Sequence, residues 1–198
     1  MKALARFLTL FLFTIPSLTA QDRPPRFQVF AGYSFLDNVP HGPRYNGWDI
    51  NASWNLKRYS SAAGSFVRYF SLATDLSGVY GPYKYVVPGS VYSPSLGSHL
   101  ATQDIGYYRL LLGQRFTFSE HKFAPFLQSL VGVSDWRMPT GSIAGFSMGC
   151  GGGLDIVLGK HFAYRVIQAD YTHVALHAMW ASQIEVRTGV VFRFGKSR

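Results

Sequence analysis

The sequence predicts an all-β fold, an eight-stranded antiparallel up-and-down transmembrane β-barrel. Three observations predict it: segments of two-residue alternation recur along the chain, short turns alternate with longer connections, and aromatic residues stand at the ends of the apolar faces. Period-two alternation is typical of a strand with two different faces. Aromatic residues at 16% and 20 glycines also favour a sheet with many turns over a helical bundle.

The start of the chain predicts a secretory signal peptide at residues 1–20. Lys2 and Arg6 precede an apolar run at 7–15, and small residues lead to Ala20, after which we expect cleavage. The run is shorter than the ~20 residues that a membrane-spanning helix needs. The remaining residues, 21–198, suit a single outer-membrane β-barrel domain.

The charge distribution argues against a nucleic-acid-binding protein, and the cysteine content argues against a fold held by disulfides. Without Lys2 and Arg6 the net charge is about +7, but the basic residues are scattered and form no run of the kind that binds nucleic acid. Cys150 is the only cysteine, so the chain has no internal disulfide. We expect no cofactor and no nucleic-acid partner.

The first two strands are predicted at 27–35 and 48–56, with a loop at 37–45. In the second strand Asp49, Asn51, Ser53 and Asn55 alternate with apolar residues, which excludes a helix. Trp48 and Trp54 stand near the two ends of its apolar face, as in the aromatic girdles of membrane barrels.

The third and fourth strands are predicted at 70–80 and 105–118. Asp75 lies opposite Leu72 and Leu76, and Arg109 and Arg115 lie opposite an apolar face that ends in aromatic residues. The connection at 57–69 has no clear pattern. Residues 81–103, which contain three prolines, form the longest predicted irregular segment.

The last four strands are predicted at 123–135, 143–158, 162–172 and 184–194. Glycines at 149–153 leave space for large side chains to cross a narrow lumen. In the seventh strand Gln168 and Asp170 share a face, but two-residue alternation places Arg165 on the opposite face. Either a bulge corrects the phase or Arg165 lies at the membrane edge.

The predicted connections alternate in length. Turns at 119–122 and 159–161 fall on the side of the termini, whereas longer loops at 37–45, 81–103, 137–142 and 173–182 fall on the other side. Outer-membrane barrels have short periplasmic turns and longer extracellular loops. The connection at 57–69 departs from this pattern.

Charged residues of both signs occupy the polar faces. In a soluble lipocalin-like barrel they would be a solvated exterior, but aromatic ends on the apolar faces and the signal peptide favour lipid outside. Opposite charges in a narrow lumen pair, so we expect a filled barrel, with an ion path as the alternative. The predicted lumen network is Asp49, Asp75, Arg109, Arg115, Asp155, Asp170, Glu185, Arg187 and Arg193, and the predicted interface aromatics are Trp48, Trp54, Tyr108 and Phe116.

Four segments carry a family resemblance: 30–34 (FAGYS), 151–155 (GGGLD), 162–171 (FAYRVIQADY) and 189–194 (GVVFRF). They resemble the outer-membrane β-barrel domain family of small OmpA/OmpX-type proteins. The closing segment is also similar to the signal that the barrel-assembly machinery reads, here Arg187, Gly189, Phe192 and Phe194. The resemblance implies outer-membrane lipid, lipopolysaccharide and the assembly machinery as partners, and no shared catalytic residues.

The histidines of the last predicted loop, His173 and His177, lack a carboxylate or cysteine nearby for a metal site. A lipid-A-modifying enzyme would need serine, histidine and an acid together, which the sequence does not show. We therefore expect a protein that is not an enzyme, located in the outer membrane, with a structural or interaction role through its extracellular loops. The alternatives are a narrow porin-like pore and a secreted soluble lipocalin-like barrel that binds a ligand.

Overall fold

The structure is a computed structural model that describes residues 25–39, 43–58, 69–87, 99–118, 122–138, 141–176 and 179–196. The predicted signal peptide at 1–20 lies outside these residues, as do His177 and most of the connection predicted at 57–69. Within the described ranges, no helix is long and apolar enough to cross a membrane.

Eight antiparallel strands pair in sequence order, and β1 also pairs with β8, so the sheet closes into a barrel. The predicted all-β, eight-stranded up-and-down fold is confirmed. The strands are β1 (Pro25–Val39), β2 (Arg44–Arg58), β3 (Tyr69–Val87), β4 (His99–Thr117), β5 (Phe123–Met138), β6 (Gly141–Val157), β7 (Phe162–Leu176) and β8 (Met179–Lys196).

The barrel has two ends, which we call the terminus end and the loop end. The terminus end carries Pro25, Lys196 and the connections that follow β2, β4 and β6. The loop end carries the connections that follow β1, β3, β5 and β7. The predicted short turns at 119–122 and 159–161 lie at the terminus end, where five residues separate β4 from β5 and four separate β6 from β7.

The lengths predicted for the long loops were wrong, because the strands at the loop end extend further than the sequence indicated. Strand pairing continues to Val87 opposite His99, to Met138 opposite Gly141, and to Leu176 opposite Met179. Only two residues separate β5 from β6 and β7 from β8, and the loop predicted at 37–45 is mostly strand. Backbone pairing in a hairpin needs no apolar alternation, so these strands continue where the sequence pattern stops marking them.

The two faces of the sheet differ in polarity. Outward-facing aliphatic side chains on neighbouring strands are about half exposed, among them Leu112 at 54% and Val133 at 57%. Inward-facing side chains include many that are polar or charged and less than a tenth exposed. This polarity is the reverse of that of a soluble barrel, whose apolar face lines the interior.

A bulge in β7 resolves the parity of Arg165. On the β6 side Arg165 pairs with Asp155 and Ile167 with Leu154, which leaves Val166 without a partner. The register to β8 shifts between Arg165 and Gln168 as well. Arg165 and Gln168 therefore both point inward and are fully buried, as the first of the two alternatives proposed.

Candidate functional site

Among the described residues, ten charged side chains are buried in the interior of the barrel. Nine are the residues of the predicted lumen network, all at most 7% exposed, and the tenth is Arg165. Together they comprise five arginines and five carboxylates, so the described interior is formally neutral. Arg165 supplies the charge that balances the other nine, and only its bulged strand brings it inside.

Arg187 lies at the centre of the lumen and reaches carboxylates from four strands. Its guanidinium lies 3.4 Å from Asp49, 3.0 Å from Asp170 and 2.5 Å from Glu185, and it donates a hydrogen bond to Asp75. Arg109 pairs with Glu185 and lies 3.9 Å from Asp75. We call the six residues of this group the central cluster: Asp49, Asp75, Arg109, Asp170, Glu185 and Arg187.

A second charged layer lies between the central cluster and the terminus end. Arg165 donates hydrogen bonds to both carboxylate oxygens of Asp155, at 2.7 and 3.1 Å. Arg115 donates to neutral acceptors, Gln128 at 2.7 Å and Asn51 at 2.8 Å. The Arg165–Asp155 and Arg115–Gln128 bonds join neighbouring strands, whereas the Arg115–Asn51 bond reaches from β4 past β3 to β2.

Two aromatic rings contact guanidinium groups of this layer, and one of the rings lies between Arg115 and Arg165. The Phe126 ring lies 4.3 Å from the Arg115 guanidinium carbon and 4.6 Å from that of Arg165. Phe30 lies 4.4 Å from Arg165. Cation–π attraction stabilises each cation where water is excluded, and the intervening ring keeps the two like charges apart.

Glycines on β6 and β8 make room for these interior groups. A Cβ atom at Gly153 would lie 2.7 Å from the Phe126 ring, and one at Gly151 would clash with the Asp170 carboxylate. A Cβ at Gly189, a residue of the predicted assembly signal, would lie 2.9 Å from the Phe30 ring. Gly189 therefore has a packing function in this barrel.

The loop end of the lumen is apolar, which the sequence analysis missed. The rings of Tyr107 and Trp136 lie 4.4 Å apart, and those of Tyr45 and Trp136 lie 5.8 Å apart. Extending the inward parity of each strand would have found these residues. We call this group the apolar plug: Leu36, Tyr45, Val79, Ile105, Tyr107 and Val174, with Trp136 and Met138 packed against them.

The predicted interface aromatics lie on the exterior. Trp48 is 36% and Trp54 47% exposed, and they stand towards opposite ends of β2. Tyr108 packs edge-on against Tyr80 at 5.8 Å, and Phe116 lies 5.4 Å from Phe70. Cross-strand aromatic pairs of this kind stabilise a sheet surface.

The two aromatic residues of the predicted assembly signal also face outward. Phe192 lies 5.4 Å from Phe162 on β7, and Phe194 lies 6.4 Å from Phe27 on β1. Both rings therefore belong to the exterior of the closing strand.

His173 is a strand residue rather than a loop residue. Its Nδ1 lies 3.2 Å from the Ser182 hydroxyl, and its ring packs edge-on against Tyr171 at 4.9 Å. No carboxylate of the described residues bonds to the imidazole, so the pair lacks the acid of a catalytic triad. In the described part of the chain no group of His, Cys, Asp and Glu could hold a metal ion.

No family model and no curated protein sequence matches the chain. Among solved structures, the chain is similar to Neisserial surface protein A, with a TM-score of 0.56 and 11% identity over 85% of this chain and 96% of that one. It is also similar to OprG from Pseudomonas aeruginosa (TM-score 0.49, 9% identity, 87% and 97% covered). A third structure is Ail of Yersinia pestis, in complex with the heparin analogue sucrose octasulfate (TM-score 0.45, 16% identity, 85% and 96% covered).

Proposed function

We propose that this chain, whose fold is that of the eight-stranded outer-membrane barrels, resides in the outer membrane and acts through its loop end, with a structural or interaction role rather than an enzymatic one. The signal at 1–20 would direct export, and the barrel-assembly machinery would insert the chain through Gly189, Phe192 and Phe194. Lipid and lipopolysaccharide would surround the exterior.

The observation that supports this proposal most strongly is that the barrel is apolar outside and polar inside. Apolar side chains such as Leu76, Leu110 and Val131 remain more than 40% exposed on adjacent strands, while ten charged side chains are buried inside. Water on the outside would make this arrangement strongly unfavourable, because contiguous exposed apolar surface of this kind is rare on soluble monomers. A lipid exterior satisfies both faces, and the same polarity argues against a soluble lipocalin-like barrel.

The filled lumen argues against the pore alternative. In the central cluster Arg187 bridges carboxylates on β2, β3 and β7, so side chains occupy the cross-section. The apolar plug then covers the loop end with tightly packed aromatic rings. An ion would have to break the salt bridges and cross an apolar layer, both of which are costly steps.

The interaction surface would lie on the hairpin of β3 and β4, whose 19-residue strands are the longest of those described. The connection between them, residues 88–98, lies outside the described residues. The sequence of this hairpin and its connection includes Tyr83, Lys84, Tyr85 and Tyr92, which are aromatic and cationic residues suited to binding a partner. Binding variation is commonly placed on loops above a rigid scaffold.

Cell fractionation tests the placement in the membrane. We expect the native chain in the outer-membrane fraction, with faster gel migration unheated than boiled, because a closed barrel keeps its fold in detergent. Recovery in the soluble periplasm with no heat-dependent shift would overturn the proposal.

A further inference from the structure

A small cavity lies in the lumen at the terminus end, beyond the Arg165–Asp155 pair. Its volume is about 20 Å³, enough for one water-sized ion. Several lining residues are only partly buried, so the cavity communicates with solvent at this end. The lining residues are Gln28, Arg115, Thr117, Ala124, Phe126, Asp155, Val157, Ala163 and Arg193.

Both arginines of the lining lack a carboxylate partner among the described residues. Neither Arg115 nor Arg193 forms an ion pair with any described carboxylate, although both are more than nine-tenths buried. The Arg193 Nη1 has no hydrogen-bond partner among the described residues. Asp155 is the one carboxylate of the lining, and Arg165 already binds both of its oxygens. A buried cation without a counter-charge is strongly unfavourable, so the cavity favours an anion.

The distribution of charge along the barrel axis supports this. The central cluster contains four carboxylates and two arginines, whereas the layer towards the terminus end contains three arginines and one carboxylate. The neutral interior therefore consists of a negative layer and a positive layer. At the terminus end Lys122 and Lys160 are exposed on the turns, and cations at a mouth raise the local concentration of anions.

We propose that this cavity is a binding site for a small monovalent inorganic anion such as chloride, held between Arg115 and Arg193 and reached from the terminus end. The anion accepts a hydrogen bond from Arg193 Nη1 and lowers the net positive charge of the layer from three arginines against one anion to three against two. The proposal rests on the interior of the barrel alone, so it does not depend on what the loop end binds.

Bromide, which scatters anomalously and resembles chloride, locates the site directly. In crystals of the native protein grown with sodium bromide, we expect an anomalous peak in the cavity within hydrogen-bond distance of Arg193 Nη1. Absence of that peak, or the same peak in crystals of Arg193→Gln, would overturn the proposal.

Urea unfolding in detergent provides the second readout. We expect the unfolding midpoint of the native barrel to rise in sodium chloride relative to sodium gluconate at equal ionic strength, because gluconate is too large for the cavity. At a chloride concentration of about ten times Kd, binding to the folded state alone raises the folded-to-unfolded ratio about elevenfold.

Matched variants separate this effect from general salt effects. Arg193→Gln should lose the chloride-dependent rise, Arg193→Lys should keep part of it, and Arg44→Gln, at an exposed pair of the loop end, should keep all of it. The readout is the response to chloride, so a general loss of stability does not imitate it. An equal response in the native protein and Arg193→Gln would contradict the proposal.

Discussion

Arg187 contacts carboxylates that come from four strands, β2, β3, β7 and its own β8. Each of these carboxylates is nearly inaccessible to water, so the guanidinium is the main source of compensating charge for all of them. Arg109 pairs with two described carboxylates, those of Glu185 and Asp75. At the scale of single residues, the interior therefore depends most on Arg187.

Replacing Arg187 by Met should destabilise the barrel by about 3–5 kcal/mol, because removal of one partner leaves buried charges uncompensated. Urea unfolding in lipid vesicles measures the change. Arg44→Met is the matched control, since its pair with Asp37 is exposed and should contribute less than about 1 kcal/mol. Equal stability of the two variants would show that the central cluster does not stabilise the fold.

At the scale of the element, the bulge in β7 determines which side chains of that strand enter the lumen. Val166 and Ile167 are both exposed to the exterior, and the residues on either side of them are both buried. A regular strand would have turned Arg165 or Gln168 towards lipid. The bulge thus places a tenth charge inside and makes the interior neutral.

Deletion of Val166 should be tolerated. The deletion removes the bulged residue, which has no β6 partner, so Arg165 and Gln168 become two positions apart and still share the inward face. Deletion of Val131, which lies in a regular ladder between Leu112 and Met148, should prevent folding because half of β5 changes face.

Heat-dependent gel migration of both deletion variants in membranes measures the outcome. A Val166 deletion variant that fails as completely as the Val131 variant would contradict this account of the bulge.

The closing strand, β8, contains the proposed assembly signal. Phe192→Ser with Phe194→Ser should strongly lower the amount of barrel in the outer membrane, because both residues belong to the proposed assembly signal. The control is Phe123→Ser with Phe146→Ser, which removes two outward aromatics, 54% and 49% exposed, from other strands. Immunoblots of membrane fractions compare the two, and equal levels would refute a special role of the closing aromatics.

At the scale of the whole molecule, the lumen consists of layers along the barrel axis. The apolar plug closes the loop end, the negative central cluster fills the middle, and the positive layer with its cavity opens at the terminus end. The Ala73, Leu111 and Leu130 side chains form a further apolar contact inside. Among the described residues, this order leaves a solvent-accessible cavity at one end and packed side chains between that cavity and the loop end.

Planar bilayers test this arrangement. We expect no stable single-channel steps from the purified barrel, because both the salt bridges and the apolar plug block the lumen. Substituting Tyr107 and Trp136 by Ser, in the plug, should still give no conductance, since the central cluster remains. Stable steps from the native protein would refute the filled lumen and favour the pore alternative.

The two-residue alternation of the sequence was sufficient to predict which face a side chain occupies wherever a strand is regular. In β2 and β4 the alternation of Asp49 with Trp48 and of Arg109 with Leu110 places each side chain on the face that the structure shows. The apolar plug was accessible to the same reasoning, because Tyr45 and Tyr107 continue the inward parity of their strands. It was missed because an apolar residue inside a polar lumen breaks the expected two-faced pattern.

The sequence by itself determined the strand number, the antiparallel order and the direction of most side chains, because these follow from local alternation and from turns between neighbours. Only the tertiary structure decided three other features: the bulge that turns Arg165 inward, the pairing of Arg187 with carboxylates on distant strands, and the continuation of the hairpins at the loop end. These depend on the register between strands and on closure of the barrel. Residues as far apart as Asp75 and Arg187 meet only once β8 pairs with β1.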